Sequence, residues 1–499
     1  MAADKDAKVV KDTQPIRFLL NNQAVEVGDV APTLSLLNFL RQRSGRMGTK
    51  EGCAEGDCGA CTVVVGELRQ GRLEMKAVNS CIQFLPTLDG KALFTVEDLR
   101  QEDGRLHPVQ EAMVECHASQ CGFCTPGFVM SLWGLYVNRV DSEISGPPGE
   151  ATIRQAITGN LCRCTGYRPI VEAGKRMFEL PPIRFDRDRV MASLKSLARP
   201  APLNYQFEGQ RFFAPQTLAE LTALRAARPA STLLAGGTDV ALWVNKLFRE
   251  LGDIVYTGEV AELHAIAEDA TEVTIGAAVS LNNAYAALKI HYPEMNEMWE
   301  RFASTPVRNA GTLGGNIANG SPIGDSMPAL IALGAEVTLC NVARLRRLPL
   351  EDFYLAYQQT ALQPDEILAF IHIPRRRPAL RFRNYKLSKR FDSDISAVCA
   401  AFAIELEGQS VAHCRIAFGG MAATPKRAAR TEAMLTGRQW DEAAARAAME
   451  VLAQDYAPLT DMRAGADYRL KAARNLLYRF FLETRPVNPM AAVELSVFA

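Results

Sequence analysis

Apolar and polar positions change their period several times along the chain, and each change marks a different kind of element. Residues 17–23 ("RFLLNNQ") and 25–27 are short apolar runs on either side of Asn21 and Asn22, the pattern of a tight hairpin. "TLSLLNFLRQRSG" then places apolar residues at helical spacing and ends on glycine, which predicts a helix over residues 33–44. "CTVVVGEL" reads as a buried strand, and "ALFTVEDL" as a strand that runs into a turn. Strand, strand, helix, loop and strand within so short a stretch predict a compact β-grasp domain.

From His107 the texture becomes helical. "HPVQEAMVECHASQ", "PGFVMSLWGLYVNRV", "ATIRQAITGN" and "RPIVEAGKRMFEL" each carry an apolar stripe, predicting a small helical bundle with cysteines at its helix ends. Pro181, Pro182, Pro200 and Pro202 punctuate the next stretch, which reads as a linker over 181–204. Beyond it "TLLAGGTDVAL", "DIVYTG", "EVTIGAAVSL" and "AEVTLC" are strands separated by helical segments. From about Lys386 the pattern changes to a hairpin, "SAVCAAFAIEL" with "AHCRIAFGGM", followed by two helices, "WDEAAARAAMEVLAQ" and "YRLKAARNLLYRFFLE". No internal repeat or low-complexity tract appears.

At 499 residues the chain is too long for one ordinary domain. Lys plus Arg and Asp plus Glu are both 56, and this balance gives no reason to expect nucleic acid or an anionic membrane as a partner. The N-terminal run is polar and lacks a signal-peptide core, and no stretch is long and apolar enough to predict a membrane span. A cytoplasmic protein is expected, and its cysteines are better read as ligands than as disulfides.

The cysteines change the picture most. Nine of the 12 fall between Cys53 and Cys164. Cys53, Cys58 and Cys61 in "GCAEGDCGAC", with Cys81 further on, have the C-x4-C-x2-C…C spacing of a plant-type [2Fe-2S] loop. Such a loop points thiolates inward while backbone N–H groups turn toward sulfur, and Gly52, Gly56 and Gly59 permit that close approach. The competing reading is a zinc site, which normally uses two symmetric knuckles rather than one asymmetric run. A second group, Cys121 and Cys124 in "SQCGFCTPG" with Cys162 and Cys164 in "GNLCRCTGYRP", lies at predicted helix ends. It could close on one cluster, although its spacing alone leaves zinc open. Cys116 reads as a helix core residue, and Cys340, Cys399 and Cys414 as residues of apolar strands.

The larger half has no G-x-G-x-x-G after a strand, so a dinucleotide site of Rossmann type is unsupported. It has two other glycine-rich turns, "LLAGGTDV" and "NAGTLGGNIANGSPIGD". Each is compatible with a pyrophosphate nest or with a plain tight turn.

"GCAEGDCGACTVVV", "CGFCTPGFVMSL" and "GNLCRCTGYRPI", in this order, resemble the iron–sulfur region of the molybdenum hydroxylases, the xanthine dehydrogenase and aldehyde oxidase family. The two glycine-rich strings resemble that family's flavin domain, and the last hundred residues its C-terminal flavoprotein domain. The resemblance implies an α+β multidomain fold. A plant-type ferredoxin-like domain would span 15–95, a helical four-helix [2Fe-2S] domain 96–180 and the linker 181–204. An α+β FAD-binding domain would span 205–384, and a C-terminal CO dehydrogenase-like flavoprotein domain 385–495. It implies one [2Fe-2S] cluster on Cys53, Cys58, Cys61 and Cys81 and another on Cys121, Cys124, Cys162 and Cys164, with Gln120 matching a residue that contacts the pterin. FAD would be cradled by Leu233, Leu234, Ala235, Gly236, Gly237, Thr238, Asp239 and Val240, and by Thr312, Leu313, Gly314, Gly315 and Asn316. Ser321 and Asp325 would close that second loop, Phe302 would lie at the isoalloxazine, Leu368 on the adenine side and Lys386 near the flavin. Residues 389–393 ("KRFDS") correspond to a loop beside the flavin that influences NAD access.

The family's long members continue into a molybdopterin domain, whereas this sequence stops at Ala499. The expectation is therefore an electron-transfer subunit of a two-chain, purine-oxidising member, with no catalytic base of its own. Its partner would be a large molybdopterin-binding subunit in a heterotetramer or larger assembly, and its electron acceptor NAD+. The same architecture serving an N-heterocycle or an aldehyde is the alternative, with a zinc-binding scaffold behind it.

Overall fold

The computed structural model describes residues 13–140 and 146–491, so the polar N-terminal run and the end of the domain drawn to 495 lie outside the described residues. The described chain divides into two compact units. The first takes in residues up to 221 but also 230–260 and 305–310; the second takes in 222–229, 261–304 and the chain from 311 onward.

In the first unit, β1 (Ile16–Leu20) and β2 (Gln23–Val27) form the expected hairpin, and Asn21 and Asn22 both take positive φ, 48° and 61°. Such φ values at the two central residues are those of a type I′ turn, in which asparagine is tolerated. With β3 (Thr62–Arg69), β4 (Arg72–Asn79) and β5 (Ala92–Phe94) they make a sheet of order β2-β1-β5-β3-β4, in which only β1 and β5 run parallel. The valine run of β3 is explained by burial on both faces. Val64 joins the core shared with the helical bundle, whereas Val63 joins the core on the opposite side. That opposite side holds the segment predicted as a helix over 33–44. It is α1 (Leu36–Asn38), capped by the Ser35 hydroxyl, continuing as a π-helical turn over Phe39–Arg43. The wider turn lets Leu36, Leu37, Phe39 and Leu40 all bury.

The helical bundle is α2 (Pro108–Glu115), α3 (Thr125–Val140), α4 (Glu150–Ala156) and α5 (Arg168–Arg176). The stretch read as a linker contains a fifth helix, α6 (Arg187–Leu197), whose Val190 and Leu194 enter the bundle core. A second sheet, order β6-β7-β9-β8, comprises β6 (Leu203–Phe207), β7 (Gln210–Ala214), β8 (Thr232–Leu234) and β9 (Ile254–Tyr256). It packs through Tyr205, Phe212, Leu234 and Ile254 into the same core as Leu36 and Ile82. Helix Thr305–Ala310 also belongs here, with the Asn309 amide donating to the Ala77 carbonyl of β4 at 2.9 Å.

The second unit contains an antiparallel sheet, order β10-β11-β16-β12-β13, of β10 (Ile266–Glu268), β11 (Glu272–Gly276), β12 (Glu336–Cys340), β13 (Leu345–Pro349) and β16 (Ile367–Pro374). A small hairpin of β14 (Tyr354–Ala356) and β15 (Gln359–Thr360) accompanies it. The C-terminal sheet, β17 (Leu380–Leu387), β18 (Val398–Glu407), β19 (Ser410–Gly419) and β20 (Lys426–Arg427), is covered by the expected helices Glu442–Asp455 and Ala466–Thr484. Among the described residues no helix is long and apolar enough to cross a membrane. The whole is the α+β multidomain fold that the sequence predicts, with ferredoxin-like, helical and flavoprotein parts.

Candidate functional site

The plant-type loop lies between the π-helical turn and β3. The Cys53 thiol is hydrogen-bonded to the thiols of both Cys58 and Cys81, and the Cys61 thiol to that of Cys81. The four sulfurs therefore gather in a chain of contacts, Cys58 to Cys53 to Cys81 to Cys61. As thiols, the acceptors of these bonds, Cys53 and Cys61, are pulled below the usual range, and the donors, Cys58 and Cys81, are pushed far above it. Backbone N–H groups turn inward as a cluster loop requires: those of Glu55 and Cys58 point at the Cys53 sulfur, at 3.4 and 3.3 Å. A Cβ on Gly52 would stand 2.8 Å from the Cys58 sulfur, so the loop closes on its own ligands only with glycine there.

The second set comes from the α2–α3 turn and the α4–α5 turn. Cys121 pairs with Cys164 and Cys124 with Cys162, each pair bridging the two turns. Burial and the bond to Cys162 push Cys124 up to about 12. Burial opposes ionisation of Cys162, but hydrogen bonds from the Thr165 hydroxyl and backbone and the Cys164 N–H bring it down to about 7. Gln120 does not project freely; its amide donates to the Cys164 carbonyl at 3.0 Å and ties the two turns together. Among the described residues no group of three or more His, Cys, Asp and Glu side chains has the arrangement of a single-ion metal site. Four gathered sulfurs with inward N–H donors suit a two-iron cluster, in which each iron takes two thiolates.

A further set of residues, absent from the sequence reading, joins the two cysteine sites. The buried Asn160 amide donates to the Gly59 carbonyl (3.0 Å) and the Thr62 hydroxyl (3.2 Å), and accepts from Ser131 of α3 (2.6 Å). The Leu161 N–H donates to the Cys58 carbonyl at 3.0 Å. Gly59 has φ +68°, and a Cβ there would stand 2.4 Å from the Gly159 carbonyl; Gly127 of α3 meets the Gly59 carbonyl just as closely. Only side-chain-free residues permit this approach. Asn160 stands just before "LCRC" in a turn, and no periodicity singles it out.

The first glycine-rich string begins inside β8: Leu233 and Leu234 are strand residues, Leu234 fully buried in the core, and residues 235–239 form the turn before helix Val240–Asn245. The Gly236 carbonyl accepts from the Gln83 amide at 3.2 Å, and Gly237, at φ +73°, stands where a Cβ would be 2.8 Å from the Ile82 carbonyl. This loop therefore sits against the residues that follow ligand Cys81. Burial raises the Asp239 carboxyl, which is hydrogen-bonded to Trp243.

In the second unit, Thr312 caps helix Leu313–Asn319 through its hydroxyl, which accepts from Gly315 N–H at 2.9 Å. Gly314 packs on Ala277, where a Cβ would be 2.4 Å away, so its place is explained by packing. The Asn316 side-chain oxygen is buried with no partner, an orphan acceptor that suits a polar ligand on this loop. The Ser321 hydroxyl accepts from Ile323 N–H. Asp325 lies buried beside Lys386, which also donates to the Ser396 hydroxyl (2.9 Å) and the Asp394 carbonyl (2.7 Å). Lys386 is thus a buried, fully engaged cation rather than a solvated one. Phe302 follows helix Asn296–Arg301 and meets Tyr285 edge-on at 6.2 Å, while Leu368 is a core residue of β16 opposite Leu339. The "KRFDS" loop is held by the buried Arg301, which donates to the Phe391 carbonyl (3.0 Å) and lies over the Phe391 ring. Cys116 ends α2, partly buried against the bundle core, and Cys340, Cys399 and Cys414 lie in strands.

Two cysteine quartets on a chain that also carries a flavin-type fold define an iron–sulfur flavoprotein. Four family models match the chain in succession. A 2Fe-2S iron-sulfur cluster binding domain matches 18–84, a [2Fe-2S] binding domain 95–175, the FAD binding domain in molybdopterin dehydrogenase 205–376, and a CO dehydrogenase flavoprotein C-terminal domain 383–484. The chain belongs to the molybdenum hydroxylase family.

Its relatives include the xanthine dehydrogenase of Drosophila subobscura, 32% identical over 86% of this chain, and the xanthine dehydrogenase/oxidase of Gallus gallus, 30% identical over 93%. The chain spans 36% and 40% of the lengths of these two relatives. Among solved structures, a carbon monoxide dehydrogenase from Hydrogenophaga pseudoflava that lacks the Mo-pyranopterin moiety is similar with TM-score 0.51 and 28% identity. It covers 54% of this chain and 94% of its own. Quinoline 2-oxidoreductase from Pseudomonas putida 86 gives TM-score 0.52 and 25% identity, covering 57% of this chain and all of its own.

Proposed function

We propose that this chain carries electrons from a molybdenum centre on a large partner subunit, through two [2Fe-2S] clusters and FAD, to NAD+ in the oxidation of xanthine. The observation that carries this reading is the 3.0 Å hydrogen bond from Leu161 N–H to the Cys58 carbonyl. Leu161 is bonded to Cys162 of one quartet and Cys58 belongs to the other, so a single hydrogen bond links the two ligand sets.

Cys53, Cys58, Cys61 and Cys81 would hold one cluster, and Cys121, Cys124, Cys162 and Cys164 the other. Residues 233–240 and 312–316, with Asp325 and Lys386, would hold FAD. When bound, these groups supply one-electron carriage and, at the flavin, conversion to two-electron hydride delivery. The protein contributes orientation and electrostatics. The N–H groups of Glu55 and Cys58 would favour the anionic sulfurs, and Asn160 fixes the separation of the two loops. The balance is xanthine, water and NAD+ giving urate, NADH and a proton, two electrons per turnover.

Purifying the chain with a molybdopterin-bearing partner and assaying xanthine-dependent NAD+ reduction tests the reading. NADH formation with two distinct iron–sulfur EPR signals is the expected result. The carbon monoxide dehydrogenase and quinoline oxidoreductase neighbours favour a second reading, the same relay serving another substrate. Turnover of a N-heterocycle or an aldehyde but not xanthine would establish that one instead.

A further inference from the structure

Helix Val240–Asn245 begins where the first glycine-rich loop ends, and its last turn reaches the plant-type cysteine loop. The Asn245 amide donates to the carbonyls of Cys81 (2.8 Å) and Ala54 (3.2 Å). The next residue, Lys246, places its ammonium 2.5 Å from the Cys53 carbonyl and 3.6 Å from the Glu55 carboxylate. Two carbonyls of the ligand loop, Cys53 and Ala54, and that of ligand Cys81 after β4 thus converge on two adjacent side chains of a different sheet's connection.

We propose that Asn245 and Lys246 are positioning residues that raise the reduction potential of the plant-type cluster, acting through the peptide groups of its ligand loop. This inference rests on the reading that Cys53, Cys58, Cys61 and Cys81 hold that cluster. The Ala54 carbonyl and the Glu55 N–H belong to the same peptide group, and that N–H donates to the Cys53 sulfur at 3.4 Å. A donor on the carbonyl polarises the peptide and strengthens the N–H on its other end. Asn245 therefore acts on the Cys53 sulfur through one peptide group, drawing electron density from it. Lys246 acts by charge. Reduction adds one electron, hence one negative charge, to the cluster, and no bond forms or breaks. A cation on the ligand loop favours the reduced form. The loop itself carries Glu51, Glu55 and Asp57, so Lys246 supplies positive charge where the loop is acidic. The Lys246 side chain is 40% exposed, so its share is screened by salt, whereas the Asn245 share is not.

The test is an EPR-monitored redox titration of the purified complex, with both clusters followed in the same sample. Lys246→Gln and Asn245→Ala are expected to retain full iron content and to lower the potential of the plant-type cluster only. The shift corresponds to about a three- to tenfold change in how electrons divide between the two clusters, with 59 mV per tenfold for a one-electron couple. Glu55→Gln is expected to shift it upward and Lys246→Arg to leave it in place, and high salt to shrink the Lys246→Gln and Glu55→Gln shifts but not that of Asn245→Ala. Lys246→Gln and Asn245→Ala proteins with full iron and an unmoved potential would overturn the proposal and leave a structural tie. Equal movement of both clusters would also overturn it. If either variant fails to fold, the opposite shift in Glu55→Gln supports the charge argument and its absence refutes it. A wild-type complex with no plant-type signal would instead refute the cluster assignment itself.

Discussion

Lys386 and Asp325 form an ion pair in which each side chain is only 1% exposed. Ser396 binds both members, donating to the Asp325 carboxylate at 2.6 Å and accepting from Lys386. Charges so thoroughly removed from water persist only when paired and hydrogen-bonded, and removing one partner strands the other at about 3–5 kcal/mol. Lys386→Met is therefore expected to lower the denaturation midpoint strongly and to reduce flavin content. Adding Asp325→Asn should restore much of the stability. Flavin absorbance per chain together with urea unfolding checks both halves.

Asn160 saturates its side chain with Gly59, Thr62 and Ser131 at the junction of the β-grasp sheet and the bundle. Asn160→Ala leaves the buried Ser131 hydroxyl without its acceptor, at about 1–3 kcal/mol, while the Gly59 carbonyl keeps the Thr62 N–H (3.1 Å) and hydroxyl (2.7 Å). Gly59→Ala adds strain at positive φ as well as a clash with the Gly159 carbonyl. Both variants should be less stable, Gly59→Ala more so, in thermal unfolding followed through the iron–sulfur absorbance.

Leu161→Pro removes the N–H that reaches Cys58. Leu161→Ala keeps it and trims an exposed side chain. Rapid-mixing kinetics of electron passage between the two clusters should slow at least severalfold in the proline variant and remain near wild type in the alanine one. Equal rates in both would disconnect that hydrogen bond from electron passage.

His107 caps α2, accepting from Val109 N–H through Nδ1 (3.2 Å), and burial lowers its pKa from 6.5 to about 4. The folded state thus holds the ring neutral, while the unfolded chain binds a proton already near pH 6.5. The His107 contribution is complete above that pH, is lost as pH falls from 6.5 to 4, and amounts to about 3 kcal/mol over the window. His107→Asn keeps a cap but has no titrating ring. The stability difference between wild type and this variant should therefore narrow or reverse on going from pH 7 to pH 4.5, measured by denaturant unfolding.

Where the chain's chemistry is local, the sequence carries it well. The Asn21–Asn22 turn, the valine strand and the apolar stripes of the bundle helices all form where their periods place them. Cys53 and Cys58 meet through local spacing and turn glycines, whereas Cys121 meets Cys164 and Cys124 meets Cys162 only because two turns distant in sequence fold together. Elements governed by distant partners were harder to read. β4 alternates Arg72, Glu74 and Lys76 with buried Leu73, Met75 and Ala77, a strand period missing from the sequence-derived elements, and α6 occupies what looks like a proline-bracketed linker. Lys386 looks like a surface lysine until Asp325, some sixty residues away, is placed beside it. Asn160, Asn245 and Lys246 belong to no motif; their roles exist only because folded segments bring foreign carbonyls within reach.

The return of residues 230–260 and 305–310 to the first unit bears on how this protein could be dissected. A fragment cut after residue 204 would contain every candidate cluster cysteine, yet it would lack Leu234, Ile254 and Val307, which complete the core around Ile82. Its ligand loop would also lose Asn245 and Lys246. A self-standing ferredoxin module would thus have to keep residues 205–221, with Tyr205 and Phe212, and gain those two returning segments by grafting, rather than be trimmed at the proline-rich stretch.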